Sequence, residues 1–562
     1  MKKNKYKMQQ LDGYHIMIVS KYFSTILDFI KLQFVCKKFN NNMEKFHYNP
    51  ITVTDKTIRY FPHLETLHLY ERCSKKYNED YFLTKKQDKP PLTEIKQSFY
   101  KTVVWFRVHY EDTLDPAYAT YEFKNVSCTS QTIHTCNGEI PPIVNSLKKE
   151  CFINNTKTGV FRIPNHITSL GKSCFYSSRA SSFSLPTTLK KIKKNCFSMC
   201  DLTSISIPDS VISIGNSCFC MCSNLVNVTL PECLNQIGND LFNYCTSLKT
   251  VDIPPTVSVL RENCFEHCSS LSSINIPNGV LSIEEYCFSK CTSLSQISLP
   301  NTVTYIGNGC LNDCSSLTSV ELPLFITSLE YQVFNNCGKL PSVNIPGNVK
   351  VVKNHCFDCC GKLSQIQFCH SITAFEESCF NGCSSLTELE LPKTVTRISN
   401  HMFEHCSNIK KVILSDNIVE IPKMCFNQCS KLEEIHIPTK CVSIGESSFS
   451  LCNSLQDVSI PDSVTSIGNQ CFYKCAELKY VTLPCKPIKL GENCFELCSR
   501  LDVVQNLNRI GSFDKNAFVG CNSLDLSQYT KQNKTGNGCS EKQQKEKKGG
   551  QTSTKGNKKH KK

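Results

Sequence analysis

No run of 18 apolar residues occurs in the 562-residue chain, so no segment reads as a membrane-crossing helix. The apolar stretch near the start, His15 to Val19, is cut by Ser20 and Lys21 and is followed by no small-residue cleavage site, so no export signal is expected. The Cys-based prenylation motif at the end is missing as well. The expected location is cytoplasmic, with the nucleus or the periphery of the plasma membrane as alternatives. Catalytic signatures are equally scarce. There is no His-Glu-x-x-His pair and no glycine-rich phosphate loop. His267 and His405 each precede a Cys, but no third group orients either pair, and both read as exposed polar residues. No enzyme, cofactor or metal centre is expected. Net positive charge is concentrated in one segment. Of a formal net charge of +14, most lies in residues 530–562, with eleven Lys against Glu541 and Glu546.

What is present is a period. Phe returns from Phe152 to Phe518 in steps of 22 or 23 residues, filling 17 positions in one register with Leu311 as the only substitute. Self-similarity at this spacing is the mark of a solenoid, in which each unit is unstable alone and buries its apolar face against its neighbours. With Phe265 as origin, Cys268, Leu271, Ile274, Ile276, Pro277, Val280 and Ile283 follow before Cys287 and Phe288. Leu-x-x-Ile-x-Ile predicts a short strand with alternate residues inward. Pro277 ends it, having no amide hydrogen to continue a ladder. Val280-x-x-Ile283 predicts a second short strand, and Tyr286 to Cys291 a single helical turn at the corner. At roughly 4.8 Å per stacked strand, sixteen steps make a rod or arc on the order of 75 Å long.

The fold expected is a leucine-rich-repeat solenoid, a right-handed β/α superhelix of stacked short parallel strands with single helical turns, carrying a small helical N-terminal cap. Residues 1–50 hold apolar side chains at three- and four-residue steps and read as helices. Residues 51–140 read as an irregular N-terminal cap with a β-strand at Thr102-Val-Val-Trp-Phe-Arg-Val-His-Tyr110 and a turn or linker at Lys89-Pro-Pro91. Residues 141–526 form the regular repeats, and the Lys-rich tail 530–562 reads as disordered.

The segment Ile460-Pro-Asp-Ser-Val-Thr-Ser-Ile-Gly-Asn-Gln-Cys-Phe472 resembles the BspA-like leucine-rich-repeat family. Its cysteine-rich form is similar to the expanded set found in amoebic parasites. The resemblance covers about 385 residues by the repeat register and implies adhesion or cell-surface contact, a BspA-type adhesin. A second resemblance lies at the N-terminus. Ile18-Val-Ser-Lys-Tyr-Phe23, then Asp28-Phe-Ile-Lys-Leu-Gln-Phe-Val-Cys-Lys-Lys-Phe39, resembles an F-box. That implies a substrate adaptor of a ubiquitin ligase, bound to a Skp1-type adaptor through these helices.

Thirty-eight Cys is far above the usual content, and most fall in two columns. Twelve directly precede the Phe, and fifteen lie three residues after it, from Cys200 to Cys521. The first column alternates with Leu241, Val333, Met402, Ser448 and Ala517, which neither bind zinc nor form disulfides. Small buried thiols are therefore the expected reading, with disulfides and metal as alternatives. Cys218-Phe-Cys-Met-Cys222 and Cys359-Cys360 are the densest clusters.

Function then falls to the outward columns. On the first sheet these become larger and more charged around Glu388, Glu390, Lys411, Ile413, Glu434, His436, Asp457 and Tyr480, which form the candidate partner-binding site. The expected function is a non-enzymatic scaffold that binds an unidentified protein through this face. The basic tail, with Lys545-Glu-Lys-Lys548 and Lys558-Lys-His-Lys-Lys562, is a candidate contact for acidic lipid or nucleic acid.

Overall fold

A computed structural model describes residues 11–71, 98–510, 513–514 and 516–527. The basic first ten residues, Lys89-Pro-Pro91 and the Lys-rich tail lie outside these. Helices are few: α1 (Gly13–Ser20) and α2 (Ile26–Val35) open the chain, and short parallel strands follow. Asp12 caps α1 by accepting from the amides of Tyr14 and His15, and Thr25 with Asp28 forms a capping box on α2. Phe29 of α2 meets Phe46 and Phe61 edge to face, with ring centroids 5.9 and 5.5 Å apart. These rings join α2 to a hydrophobic core that continues to Leu524, while Ile16 of α1 packs with Leu32 and Phe39 in a small separate cluster.

The stack starts before its spacing becomes regular. Residues 51–140 hold several short strands. Thr66–Leu69 pairs with Lys101–Val104, and that strand with Tyr121–Phe123. Val108–His109 pairs with Val126–Cys128, which pairs with Ser146–Leu147 of the regular repeats. The position 141 thus marks a change of loop length; the sheet runs through it.

A regular coil has two strands, reduced to a single bridge on the first face at Asn275 and on the second at Arg397. Strands of the first face, such as Ser204–Ser206 and Glu388–Glu390, bury the central side chain and expose its neighbours. Strands of the second face, such as Lys191–Ile192, are two residues long and bury the second. Register between coils is exact in sequence spacing: Glu388 pairs with Lys411, and Lys411 with Glu434.

The corner differs from the helical turn expected. The residues two before and two after the Phe have positive φ, as in Tyr286 (52°) and Lys290 (59°) around Phe288, or Asn263 (54°) and His267 (60°) around Phe265. Left-handed backbone is costly for residues with a Cβ and persists only where the surroundings impose it. Here hydrogen bonds impose it. The amides of Asn263, Phe265 and His267 donate to the carbonyls of Glu285, Cys287 and Ser289 in the next coil, and those of Tyr286, Phe288 and Lys290 repeat the pattern onto the coil after. A helical turn would direct these groups within the coil and break the stack.

Inside the corner the Phe rings form an offset ladder. Centroids of successive rings lie 5.1 Å (Phe152–Phe175) to 5.7 Å (Phe380–Phe403) apart, with planes within 19° of parallel. Leu311 interrupts it between Phe288 and Phe334. The two cysteine columns are buried beside the ladder. Every Cys of the second column donates its S–H to the carbonyl of the Phe-slot residue one coil earlier, for example Cys268 to Phe242 at 3.2 Å, Cys291 to Phe265 at 3.2 Å and Cys337 to Leu311 at 3.2 Å. The same Phe265 carbonyl also accepts from the Cys268 amide, so both lone pairs are used.

Candidate functional site

The first-sheet strands Glu388–Glu390, Lys411–Ile413, Glu434–Ile435, Asp457–Ser459 and Tyr480–Thr482 follow one another along the stack. Their central residues, Leu389, Val412, Ile435, Val458 and Val481, are buried. That anchoring turns the flanking residues outward, and all eight expected site residues are exposed. Six of them, Glu390, Lys411, Ile413, Glu434, His436 and Asp457, line one open depression of 460 Å³. Glu388 and Glu390 line a second, of 740 Å³, next to it. Tyr480 lies beyond both, paired with Asp457 across the strands.

Lys411 forms a hydrogen-bonded ion pair with Glu434, which raises its pKa above the usual lysine value, with a smaller contribution from Glu388. Lys410 and Glu433 form a parallel pair at 3.4 Å one column over. That second pair went unnoticed in the sequence, although both members stand 23 residues apart and share a register. Phe368, His370 and Lys393, which border the larger depression, were also missed.

A sequence signal does mark these depressions. From Pro164 to Pro484 every coil ends its first strand with Pro except two, which have Cys369 and Ser415 in that slot. Phe368 and His370 flank Cys369 in the larger depression, and Leu414 and Asp416 flank Ser415 in the smaller. In place of the rigid ring, Ser415 donates to the Lys393 carbonyl, and the Cys369 thiol lies 3.2 Å from Ser371 Oγ.

The other sequence candidates resolve differently. His267 stacks on Tyr244 with centroids 3.9 Å apart, and its neighbour Cys268 donates to the Phe242 carbonyl, so the two form no dyad. Among the described residues no group of three or more His, Cys, Asp or Glu could hold a metal ion, and no helix is long and apolar enough to cross a membrane. In the dense cysteine clusters Cys218, Cys222 and Cys360 are buried, Cys220 is half-buried and Cys359 is exposed. Partial burial and a hydrogen bond to Asp358 push the Cys359 thiol up to about 11, while desolvation drives the fully buried thiols higher, Cys291 among them.

A labelling outcome follows. The 36 described cysteines are free, and 29 of them are buried. Without reductant, a maleimide should mark exposed Cys233, Cys359 and Cys485 in the native protein and nearly all thiols after denaturation. Cys359 labelling should climb as pH approaches 11, where its thiolate forms. Mass spectrometry that finds the column cysteines still unlabelled in denaturant would mean that they are disulfide-bonded.

Comparison with known proteins now bears on this architecture. The model of the BspA type leucine rich repeat region matches in six copies, over residues 145–272, 260–387, 304–433, 354–459 and 419–539. The chain belongs to the BspA-type leucine-rich-repeat family. Solved structures similar to this BspA-type chain include a leucine-rich repeat protein from Bacteroides ovatus, at 27% identity over 56% of this chain and 91% of that one, with a TM-score of 0.48. Another, from Eubacterium ventriosum, shares 18% identity over 55% and 82% of the two chains, with a TM-score of 0.38. A leucine rich cell surface protein from Faecalibacterium prausnitzii shares 21% identity over 68% and 82%, with a TM-score of 0.31. No curated protein matches the chain.

Proposed function

We propose that this BspA-type chain is a non-enzymatic scaffold that docks an extended protein segment across the first sheet between Glu388 and Ser459. The observation that carries the reading is the 460 Å³ depression at the coil of Ser415, rimmed by Glu390, Glu434 and Asp457 and floored in part by Ile413, which is 44% exposed. Lys393 and Lys411 also line it, and Lys411 engages Glu434. That leaves Glu390 and Asp457 to either side of the exposed aliphatic, which suits a segment with an apolar side chain between basic ones. The charges would set register and partner choice more than affinity. A photo-crosslinking residue in place of Ile413 should capture a discrete partner from the source cells, and the same residue in place of Ser298 should not. The adduct should vanish when Glu390 and Glu434 are both changed to Lys. Identical adducts at both positions would sink the reading.

A second reading, the F-box-like adaptor, is favoured by the helices. Tyr22, Leu27 and Val35 are exposed, and Phe34 is 85% exposed. A segment that only capped the stack would turn these side chains inward. Capture of a Skp1-type adaptor by the intact chain, lost with Phe34→Ala plus Val35→Ala, supports this reading, and failure of capture removes it.

A further inference from the structure

The second face changes sign along its length. Lys149, Lys172, Lys190, Lys191, Lys193 and Lys194 are all exposed on three successive coils, whose strands pair in register as Ser146, Ser169 and Lys191. Lys149, Lys172 and Lys194 occupy the same position in each, so three like charges stand about 4.8 Å apart from coil to coil. Directly stacked like charges destabilise a sheet. Between residues 145 and 200 the only carboxylate is Glu150, paired with Lys149 at 3.1 Å.

Four coils further on, the same two columns are acidic. Glu284 and Glu285 stand where Lys193 and Lys194 stand, and Glu262 precedes them by one coil. Arg261 reaches Glu284 at 3.0 Å, and the Tyr305 hydroxyl donates to Glu285 at 2.9 Å, leaving this block net negative. Between the blocks the columns are neutral: Gly215, Asn216, Gly238 and Asn239. The Lys193–Lys194 and Glu284–Glu285 pairs are four coils, about 19 Å, apart at 4.8 Å per coil. Exposed apolar side chains accompany them. Ile212, 61% exposed, sits beside the neutral midpoint, and Leu281 lies on the acidic coil.

We propose that this face binds a second copy of the chain, antiparallel, about a two-fold axis through the coil of Gln236 to Asn239. A two-fold contact is isologous, so a surface whose Lys193–Lys194 and Glu284–Glu285 pairs stand two coils to either side of the axis satisfies itself twice. Lys193 and Lys194 of each copy then face Glu284 and Glu285 of the other, and Leu281 meets the aliphatic stem of Lys190. Nine coils from Ser146 to Ser328 give a face about 43 Å long and about 15 Å wide by strand spacing and rise. Two such faces bury about 1,300 Å², within the range of specific complexes. A polyanion is the weaker fit, because a strand or membrane laid along the lysines would run onto Glu284 and Glu285.

Sedimentation of the full chain at low and high salt tests this. The wild type should be a dimer at low salt and dissociate as salt screens the contacts. Lys193→Glu with Lys194→Glu should weaken the dimer at least about tenfold, and Glu284→Lys with Glu285→Lys should do the same. The decisive arm mixes the two variants. Each repels itself, but together they restore both ion clusters, so a heterodimer should form. Unchanged circular dichroism in each variant separates loss of contact from loss of fold. A wild type that is monomeric at low salt, or variants that fail to recombine, overturns the proposal. Retention of such a monomer on a single-stranded oligonucleotide or on phosphatidylserine vesicles, lost with the lysine changes, would reassign the basic block to a polyanion.

Discussion

Phe426→Ala is expected to destabilise the middle of the stack by about 3–5 kcal/mol, the usual cost of deleting a buried Phe side chain. The ring is fully buried and stacked on both sides, 5.3 Å from Phe403 and 5.2 Å from Phe449. Neither neighbour can close the gap, because each is held by its own coil's corner hydrogen bonds. Solenoid stability sums over neighbouring units, so the damage should be local first. Amide exchange should accelerate in residues 403–449 before it does near Phe197, and the urea transition should broaden or split. Phe325→Ala, at a side chain 59% exposed, is the control and should cost under about 0.5 kcal/mol. Equal effects at the two positions would show that the ladder carries no special stability.

Cys291→Ala should cost about 1–3 kcal/mol, the price of a buried polar group losing a partner together with a small void. The thiol is fully buried and is the second donor to the Phe265 carbonyl. Cys287→Ala, in the column before the Phe, should cost less. That column already accepts Ala517, and Cys287 contacts another sulfur, Cys264, at 3.5 Å rather than serving a carbonyl. Chemical denaturation of the two variants side by side measures the difference. If Cys287→Ala proves the costlier change, the S–H···O bonds are not what keeps the second column uniformly cysteine.

These two columns also show what a sequence can convey. Burial of the cysteines was legible, because the Phe period assigns a face to each position and Leu241 or Val333 can stand in the first column. The reason for cysteine in the second was not, since its acceptor is a backbone carbonyl 25 or 26 residues earlier. The corner was misread for a related cause. Tyr286, Lys290 and His267 share a left-handed backbone but no chemistry. The candidate site was visible as charged columns, whereas the depressions that lie at the two coils with Cys369 and Ser415 in the proline slot were not. The basic and acidic blocks of the second face vanish in a whole-chain charge count and emerge only when residues are sorted by column. Lys149 and Lys172 are 23 residues apart in sequence yet adjacent in space.

The corner hydrogen bonds carry one more consequence. From Phe152 to Phe495 each Phe-slot amide donates to the following coil, and the peptide units on either side do the same. The peptide dipoles in these rows therefore point one way, N–H toward the C-terminal end, opposite in sense to an α-helix. On the second face the sense reverses: the amides of Thr168, Lys190 and Lys193 donate back to Asn145, Thr168 and Leu170 of the preceding coil. Each coil therefore carries opposed rows of peptide dipoles, so the stack has two antiparallel rows rather than a single pole, and Lys190 and Lys193 belong to the row that faces the N-terminal end.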